Sequence, residues 1–143
     1  MSRIFRWNPT DSVDLGLIDC QHKELLETAE ELHEALSRAD GLAVAEHVFI
    51  RLIDYMSNHF AAEEKLMEQY HYPQLKSHRA EHNEFASKLL AFQHDFKAGK
   101  QSVVTTMLPY LQDWIKNHVH GSDHHFGDFI KVNTKANTQA AGQ

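Results

Sequence analysis

Histidine is frequent in this chain, and several histidines recur at the spacing of one helical turn. The 143 residues include 12 histidines, and His59 and Glu63 lie four positions apart, as do His78 and His82. Side chains at this spacing share one face of an α-helix. Imidazole and carboxylate groups bind iron, manganese or zinc, and a chain with one cysteine offers no thiolate cluster for copper(I) or iron–sulfur. The two pairs indicate a metal site between neighbouring helices.

The apolar periodicity shows which elements would carry these pairs. Apolar residues recur at steps of three and four, and the few breakers, three prolines and six glycines, favour long helices. We predict helices over residues 19–38, 42–70, 73–98 and 102–120, the first capped by Asp19 and the third followed by Gly99. Short loops make successive helices antiparallel, which predicts an all-α, up-down-up-down four-helix bundle in one domain spanning 1–143. An ordered N-terminal arm would occupy 1–18, the bundle about 19–130, and a loose polar tail about 133–143.

Pro109 interrupts the fourth apolar pattern. Proline removes a backbone donor and clashes with the preceding turn of a helix. The fourth helix therefore either begins late, near Leu108, or bends at Pro109, and we favour the bend.

Polar residues occupy helix positions where a bundle normally buries leucine. A single histidine on such a face is most often a hydrogen-bonded core residue, but five together would each need a partner in one layer. A buried carboxylate without a partner costs many kcal/mol. A metal centre inside the bundle satisfies all of them. The residues concerned are His22, His59, Glu63, His78, His82 and His118.

Asp123 follows His118 by five positions, and spacing alone leaves its role open. Five steps of a regular α-helix rotate a side chain about 140° off the face. Asp123 is then either a solvated residue at a helix end or a ligand placed by a π-type turn, which is typical of functional sites. Gly121 between the two makes such a deviation easier.

Composition disfavours several other classes of protein. Twenty acidic residues against 14 Lys and Arg give a net charge of −6, which disfavours a nucleic-acid or anionic-membrane surface. No apolar run reaches the 18 residues of a membrane span, and the first 16 residues lack a signal-peptide core. The lone Cys20 fits a passive thiol in a reducing compartment. We expect a cytoplasmic protein without membrane insertion and without a nucleic-acid partner.

Four stretches of the sequence resemble the single-domain bacterial hemerythrins. They are Trp7 with SVDLGLIDCQHKEL from Ser12, HFAAEE from His59, HRAEHNEF from His78, and WIKNHVHGSD from Trp114, and the resemblance covers about residues 7 to 130. The family is known as oxygen-binding four-helix bundles with a non-haem di-iron centre. The resemblance implies two iron ions with an oxo or hydroxo bridge. One ion would be bound by His22 and His59, the other by His78, His82 and His118, and both by Glu63 and Asp123.

The resemblance also implies a function. The three-histidine iron would be filled and the two-histidine iron would keep one open position, where dioxygen binds. We expect reversible dioxygen binding for oxygen storage, transport or delivery, not enzymatic turnover, with an unidentified oxygen-consuming protein as a conceivable client. The alternatives are an oxygen or redox sensor and an oxidase-type enzyme using the same centre. Reversibility demands a dry pocket, which we expect Phe60, Phe85, Trp114 and Ile115 to line.

Further polar residues are candidates for lesser roles. The outer nitrogens of the imidazoles need partners, for which Gln21, Glu24, Glu81 and Glu84 are close enough in sequence. Two Glu-x-x-His pairs match a motif of ferritin-like di-iron proteins, but we interpret both as surface residues. A last histidine cluster is interpreted as an exposed polar end. The two pairs are Glu30 with His33 and Glu68 with His71. The histidine cluster is His120, His124 and His125.

Overall fold

Four long helices make up the structure. The computed structural model describes residues 5, 7–13, 15–36 and 41–141, with side chains up to residue 133. A short 3₁₀ turn, Pro9–Asp11, precedes the helices. The helices are α1 Gly16–Ala35, α2 Gly41–Gln69, α3 Leu75–Lys97, and a fourth that consists of α4 Val103–Trp114, a π-helical segment Ile115–Ser122, and α5 Asp123–Ala141.

The helices pack as a closed ring. α1 contacts α2 and α4, α2 contacts α3, and α3 contacts α4, and short connections join the first four helices in sequence. No strand occurs among the described residues. The prediction of an all-α four-helix bundle is confirmed. None of the helices in the described part of the chain has an apolar stretch long enough to cross a membrane.

Two apolar clusters flank a polar layer. The larger contains Phe60, Phe85, Leu89 and Val119 among others, and the smaller is built from Met67, Tyr72, Phe126 and Ile130. On α2, Glu63 falls between Phe60 and Met67, and on the last helix Asp123 falls between Val119 and Phe126. Because both clusters are buried, they fix the position along the bundle axis at which the polar side chains meet.

Two helices end in left-handed residues that reverse the chain tightly. Gly99 (φ 98°) follows α3, where the Lys100 N–H donates to the Asp95 carbonyl at 3.0 Å. His71 (φ 52°) follows α2, where the Tyr72 N–H donates to the Met67 carbonyl at 2.9 Å. Both are Schellman closures. The Gly99 prediction is confirmed, and His71 takes this role in spite of its side chain.

The N-terminal arm is tied to α1 by two buried or half-buried carboxylates. Asp19 does not cap α1, which begins at Gly16; its carboxylate accepts the Ser12 hydroxyl at 2.5 Å and the Val13 N–H at 2.9 Å. Glu30 accepts the Phe5 N–H at 2.8 Å. The interpretation of Glu30 as a surface residue is therefore wrong, because Glu30 is 2% exposed. The predicted end of this helix at Arg38 lies outside the described residues.

Pro109 sits within a continuous helix. α4 begins at Val103 and runs through Pro109, so a start near Leu108 is excluded. Pro109 and Thr105, whose carbonyl loses its partner to the proline, are both exposed. Water can satisfy this carbonyl, which makes the proline tolerable there.

The fourth helix extends further than the sequence pattern predicted. α5 continues to Ala141, where we expected a loose polar tail from about residue 133. Residues 128–141 contain neither glycine nor proline, and lysine, alanine and glutamine favour helix. The segment lacks an apolar stripe but still has the propensity to continue the helix.

Candidate metal centre

Seven polar side chains from all four helices converge in the layer between the two apolar clusters. Every one of them is buried. They form two overlapping groups, and within each group one potential ligand atom per residue lies within 4.8 Å of the others. One group contains three histidines, the other contains two, and both include the same two carboxylates. The three-histidine group is Glu63, His78, His82, His118 and Asp123, and the two-histidine group is His22, His59, Glu63 and Asp123.

Glu63 divides its two oxygens between the groups. Its Oε1 atom contacts His78 Nε2 closely and lies 3.1 Å from His82 Nε2. Its Oε2 atom lies 3.1 Å from His59 Nε2. Each oxygen of the carboxylate thus faces a different set of imidazoles, as a bridging ligand requires.

Asp123 does the same from the opposite helix. Its Oδ1 atom lies 2.9 Å from His78 Nε2 and 3.3 Å from His118 Nε2. Its Oδ2 atom lies 2.8 Å from His22 Nε2. Two carboxylates from different helices therefore each span both histidine groups.

The π-helical segment explains how Asp123 reaches the layer. His118 lies inside this segment, Asp123 follows its end, and the Asp123 N–H donates to the His118 carbonyl, a five-residue step. Of the two readings that spacing left open, the solvated helix-end residue is excluded because Asp123 is 1% exposed. The expected π-type turn is confirmed.

Several atoms of the polar layer have no hydrogen-bond partner within the described residues. Five buried atoms that face the centre of the layer form no hydrogen bond: His22 Nε2, His59 Nε2, Glu63 Oε2, and both oxygens of Asp123. The short distances between them do not have hydrogen-bond geometry. Two imidazole nitrogens, His82 Nε2 and His118 Nε2, also face each other at 3.1 Å. Lone pairs directed at a shared space suit metal cations, and this nitrogen and oxygen set fits iron.

The carboxylates of the layer are held in their charged form. Burial by itself raises the pKa of Glu63, but contacts with four surrounding imidazoles outweigh it and hold the pKa well below its usual range. Burial and the nearby Glu63 charge likewise raise the pKa of Asp123, yet His118 and His22 bring it down to about 2. Both groups therefore offer anionic oxygens at neutral pH.

The pKa is raised at two imidazoles of the layer and lowered at a third. Burial lowers the pKa of His78, but the carboxylates of Asp123 and Glu63 outweigh it and raise the value to about 9. The pKa of His118 is also raised, because Asp123 outweighs the burial. At His59 burial dominates and lowers the pKa. Without a cation, protons on His78 and His118 balance the carboxylates.

Aromatic rings enclose the imidazoles. Phe60 stacks on His82 with ring centroids 3.8 Å apart, and Trp114 stacks on His118 at 4.1 Å. Of the other two predicted lining residues, Phe85 packs on Trp114 (4.5 Å), and Ile115 is buried in the larger apolar cluster. Tyr55, which was not predicted, stacks on His59 at 4.8 Å; its position four residues before His59 could have indicated it.

The outer nitrogens of three imidazoles face side chains on neighbouring helices. Gln21 Oε1 lies 2.6 Å from His59 Nδ1, and Glu81 Oε1 lies 3.5 Å from His118 Nδ1. Gln21 and Glu81 were among the four predicted candidates. Glu64 was not, and its Oε2 lies 3.3 Å from His82 Nδ1. No spacing pattern indicates Glu64, because it precedes His82 by 18 positions and lies on another helix.

The last histidine cluster holds the arm. His120 Nε2 lies 2.9 Å from the Asp11 carboxylate, and His124 Nε2 lies 3.2 Å from the Asp11 carbonyl. The interpretation as an exposed polar end is wrong for His124, which is half-buried, and holds for His125. Glu68 and His71 are exposed, as predicted.

Comparison with known proteins agrees with this geometry. A family model described as the hemerythrin HHE cation binding domain matches residues 13–130. The chain is 31% identical over 126 residues to a bacteriohemerythrin of Stenotrophomonas maltophilia (strain R551-3), covering 88% of this chain and 81% of the relative. It is 26% identical over 130 residues to a bacteriohemerythrin of Methylococcus capsulatus, covering 90% and 98%.

Comparison of the fold with solved structures points to the same family. A crystal structure of a hemerythrin leucine-to-alanine mutant superposes with a TM-score of 0.78 at 25% identity, covering 90% of this chain and 98% of that one. The family model spans most of the chain, and the buried histidines and carboxylates form a cluster suited to binding metal cations. This chain belongs to the hemerythrin family.

Proposed function

We propose that this protein binds dioxygen reversibly at a di-iron centre, in the service of oxygen storage, transport or delivery. The supporting observation is the unequal sharing of ligands around two common carboxylates. Glu63 and Asp123 each direct one oxygen to the three-histidine group and the other oxygen to the two-histidine group. One iron would be bound by His22 and His59, the other by His78, His82 and His118.

The unequal number of histidines would leave one coordination position open for a ligand. Three imidazoles would hold one iron and two imidazoles the other, and both irons would share the carboxylates of Glu63 and Asp123, so the two-histidine ion would have one protein ligand fewer. An open coordination position distinguishes a working metal site from a structural one. The vacancy would face the side of the layer formed by His22 and His59.

The surrounding residues favour binding over turnover. A pair of ferrous ions would supply the electrons that bound dioxygen needs. Reversal demands that water and stray protons stay out, and each of the seven side chains of the layer is at most 2% exposed. Stacking of Phe60 and Trp114 on ligand imidazoles also keeps those rings fixed.

The test is metal content together with oxygen cycling. Purified protein is loaded with ferrous iron without air, the iron per chain is measured, and the visible spectrum is recorded while oxygen is admitted and removed. We expect two irons per chain and an absorption band that appears and disappears over repeated cycles. Fewer than two irons, or no spectral response to oxygen, would overturn the proposal.

Two further measurements sharpen the result. His22→Leu should abolish the reversible band, whereas the matched substitution His94→Leu, at an imidazole that is 84% exposed, should preserve it. Steady-state oxygen consumption with a reductant would indicate an oxidase instead of a carrier.

We place the protein in the cytoplasm, because its single Cys20 is unpaired. A client for the delivered oxygen would be an oxygen-consuming protein.

A further inference from the structure

The outer contacts of the imidazoles differ in charge between the two sides of the centre. On the three-histidine side, the partners are carboxylates: Glu64 at 3.3 Å from His82 Nδ1 and Glu81 at 3.5 Å from His118 Nδ1. On the two-histidine side, the partner is the neutral amide of Gln21 at 2.6 Å from His59 Nδ1.

His22, the other imidazole of the two-histidine side, adds to this difference. Neither His22 Nδ1 nor His118 Nδ1 forms a hydrogen bond among the described residues, but His118 Nδ1 has the Glu81 carboxylate at 3.5 Å, and no carboxylate is described beside His22 Nδ1. The two-histidine side therefore receives no negative charge through its imidazoles, whereas the three-histidine side receives two. Carboxylates behind ligating histidines raise the basicity of the ring and its affinity for a metal.

The carboxylates are themselves held in place. Ser122 donates its hydroxyl to Glu81, with distances of 2.8 and 2.9 Å to the two oxygens. Arg79 donates to the other oxygen of Glu64. Gln21, in contrast, borders an open polar cavity of about 350 Å³ that it shares with Glu24 and His59, so a charge introduced there would be partly solvated.

We propose that Glu64 and Glu81 are positioning residues that make the three-histidine position the tighter metal site, while Gln21 keeps the two-histidine position weaker. This inference rests on the proposed two-metal centre. The centre would then load in a fixed order, with the three-histidine ion first. The two-histidine ion, which has the open coordination position, would bind last and dissociate first.

The inference is tested by titrating metal-free protein with Co²⁺ and following both heat and visible absorbance. The unaltered protein should bind two ions with clearly separated affinities. Glu81→Gln and Glu64→Gln should each weaken the first binding step by about 10- to 100-fold, the range typical of outer partners of metal ligands. Gln21→Glu should tighten the second step and bring the two affinities together.

Matched substitutions separate charge from structure. Glu84→Gln, at a carboxylate bordering the same surface cavity as Glu81, and Glu24→Gln, at one bordering the same cavity as Gln21, should leave both affinities unchanged. Ser122→Ala tests Glu81 more mildly and should shift the first step in the same direction by a smaller amount. Circular dichroism of each metal-free variant checks the fold.

The outcomes distinguish the two proposals. If the unaltered protein takes up fewer than two Co²⁺ ions, the two-metal centre itself fails. If it takes up two but the Glu64, Glu81 and Gln21 variants match the unaltered protein, only the inference about outer charge is overturned.

Discussion

The Nε2 atom of His118 lies 3.3 Å from Oδ1 of Asp123, although five residues separate the two positions. The π-helical segment Ile115–Ser122 makes this approach possible, because it turns the chain less per residue than an α-helix. Gly121 lies inside the segment, yet the segment does not need a glycine there. A Cβ at Gly121 would meet only the Lys116 carbonyl oxygen, at 3.9 Å.

We therefore predict that Gly121→Ala raises the stability of the protein. Alanine restricts the unfolded chain and favours helix, an effect of about 0.4–1 kcal/mol where the site accepts it. Urea unfolding of the metal-free protein measures the change, and metal uptake should remain at the unaltered level. Destabilisation, or loss of metal, would show that the π-helical backbone depends on glycine.

Gly127→Ala should have the opposite effect. A Cβ at Gly127 would lie 3.0 Å from Val13 Cβ and 3.1 Å from the Val13 carbonyl oxygen. The arm must then move away from α5, and overpacking of this kind costs about 1–3 kcal/mol. The same urea measurement applies, with Gly121→Ala as the matched control, and an unchanged midpoint would contradict the close packing of the arm.

Loss of a carboxylate that both groups share should lower the metal content more than loss of a histidine that belongs to one group. Glu63→Ala removes an oxygen from both groups, so we predict a loss of both ions, whereas His22→Ala should spare the three-histidine ion. Metal analysis after desalting measures the ions that remain per chain. Two ions retained by the Glu63 variant would argue against a bridging role.

The metal-free protein should lose stability as the pH rises towards 9. The pKa of His78 is raised to about 9 from an ordinary value of 6.5, so the stabilisation is complete below pH 6.5 and is lost as the pH passes through 9. The linkage is on the order of 3 kcal/mol at most. Urea unfolding at pH 6 and pH 9.5 should show the fall, and His78→Gln should reduce it.

Metal binding should reverse this dependence. A metal ion needs the neutral imidazole and therefore displaces the proton from His78. We predict that the apparent affinity for Co²⁺ increases between pH 6.5 and pH 9, with proton release detectable in weakly buffered solution. Binding without proton release would show that His78 is already neutral before the ion arrives.

Ile115 should protect the oxygenated form. It is buried in the larger apolar cluster, next to Trp114 in sequence. A threonine hydroxyl at this position could form a hydrogen bond with a water molecule and so admit water to the cluster. Ile115→Thr should therefore shorten the lifetime of the oxygenated spectrum, while Ile50→Thr, at a side chain that is 52% exposed, should not. Equal lifetimes in the two variants would contradict the role of Ile115.

Much of this architecture could be predicted from periodic patterns. Helical spacing placed His59 with Glu63 and His78 with His82, and the structure brings these pairs into one layer. Gly99 was recognisable because a left-handed residue after a helix favours glycine. Spacing could not decide the position of Asp123, since a π-helical turn leaves no pattern of its own in a single sequence.

Contacts between distant segments were beyond sequence reasoning. Glu30 looked like a surface residue because its partner is the backbone of Phe5, 25 positions away. Glu64 was overlooked for the same reason, since its partner His82 is carried by α3. Asp19 resembled a helix cap because aspartate favours that position, but its carboxylate serves the backbone of the arm instead.

The unpartnered atoms of the polar layer link survival of the polypeptide to iron supply. Anything that binds the native state alone protects it by mass action, and here the ions would satisfy lone pairs that the chain leaves bare. Starved of iron, the protein would unfold more often and be degraded faster by cellular proteases. Its abundance would then report the iron status of the cell without any dedicated regulator.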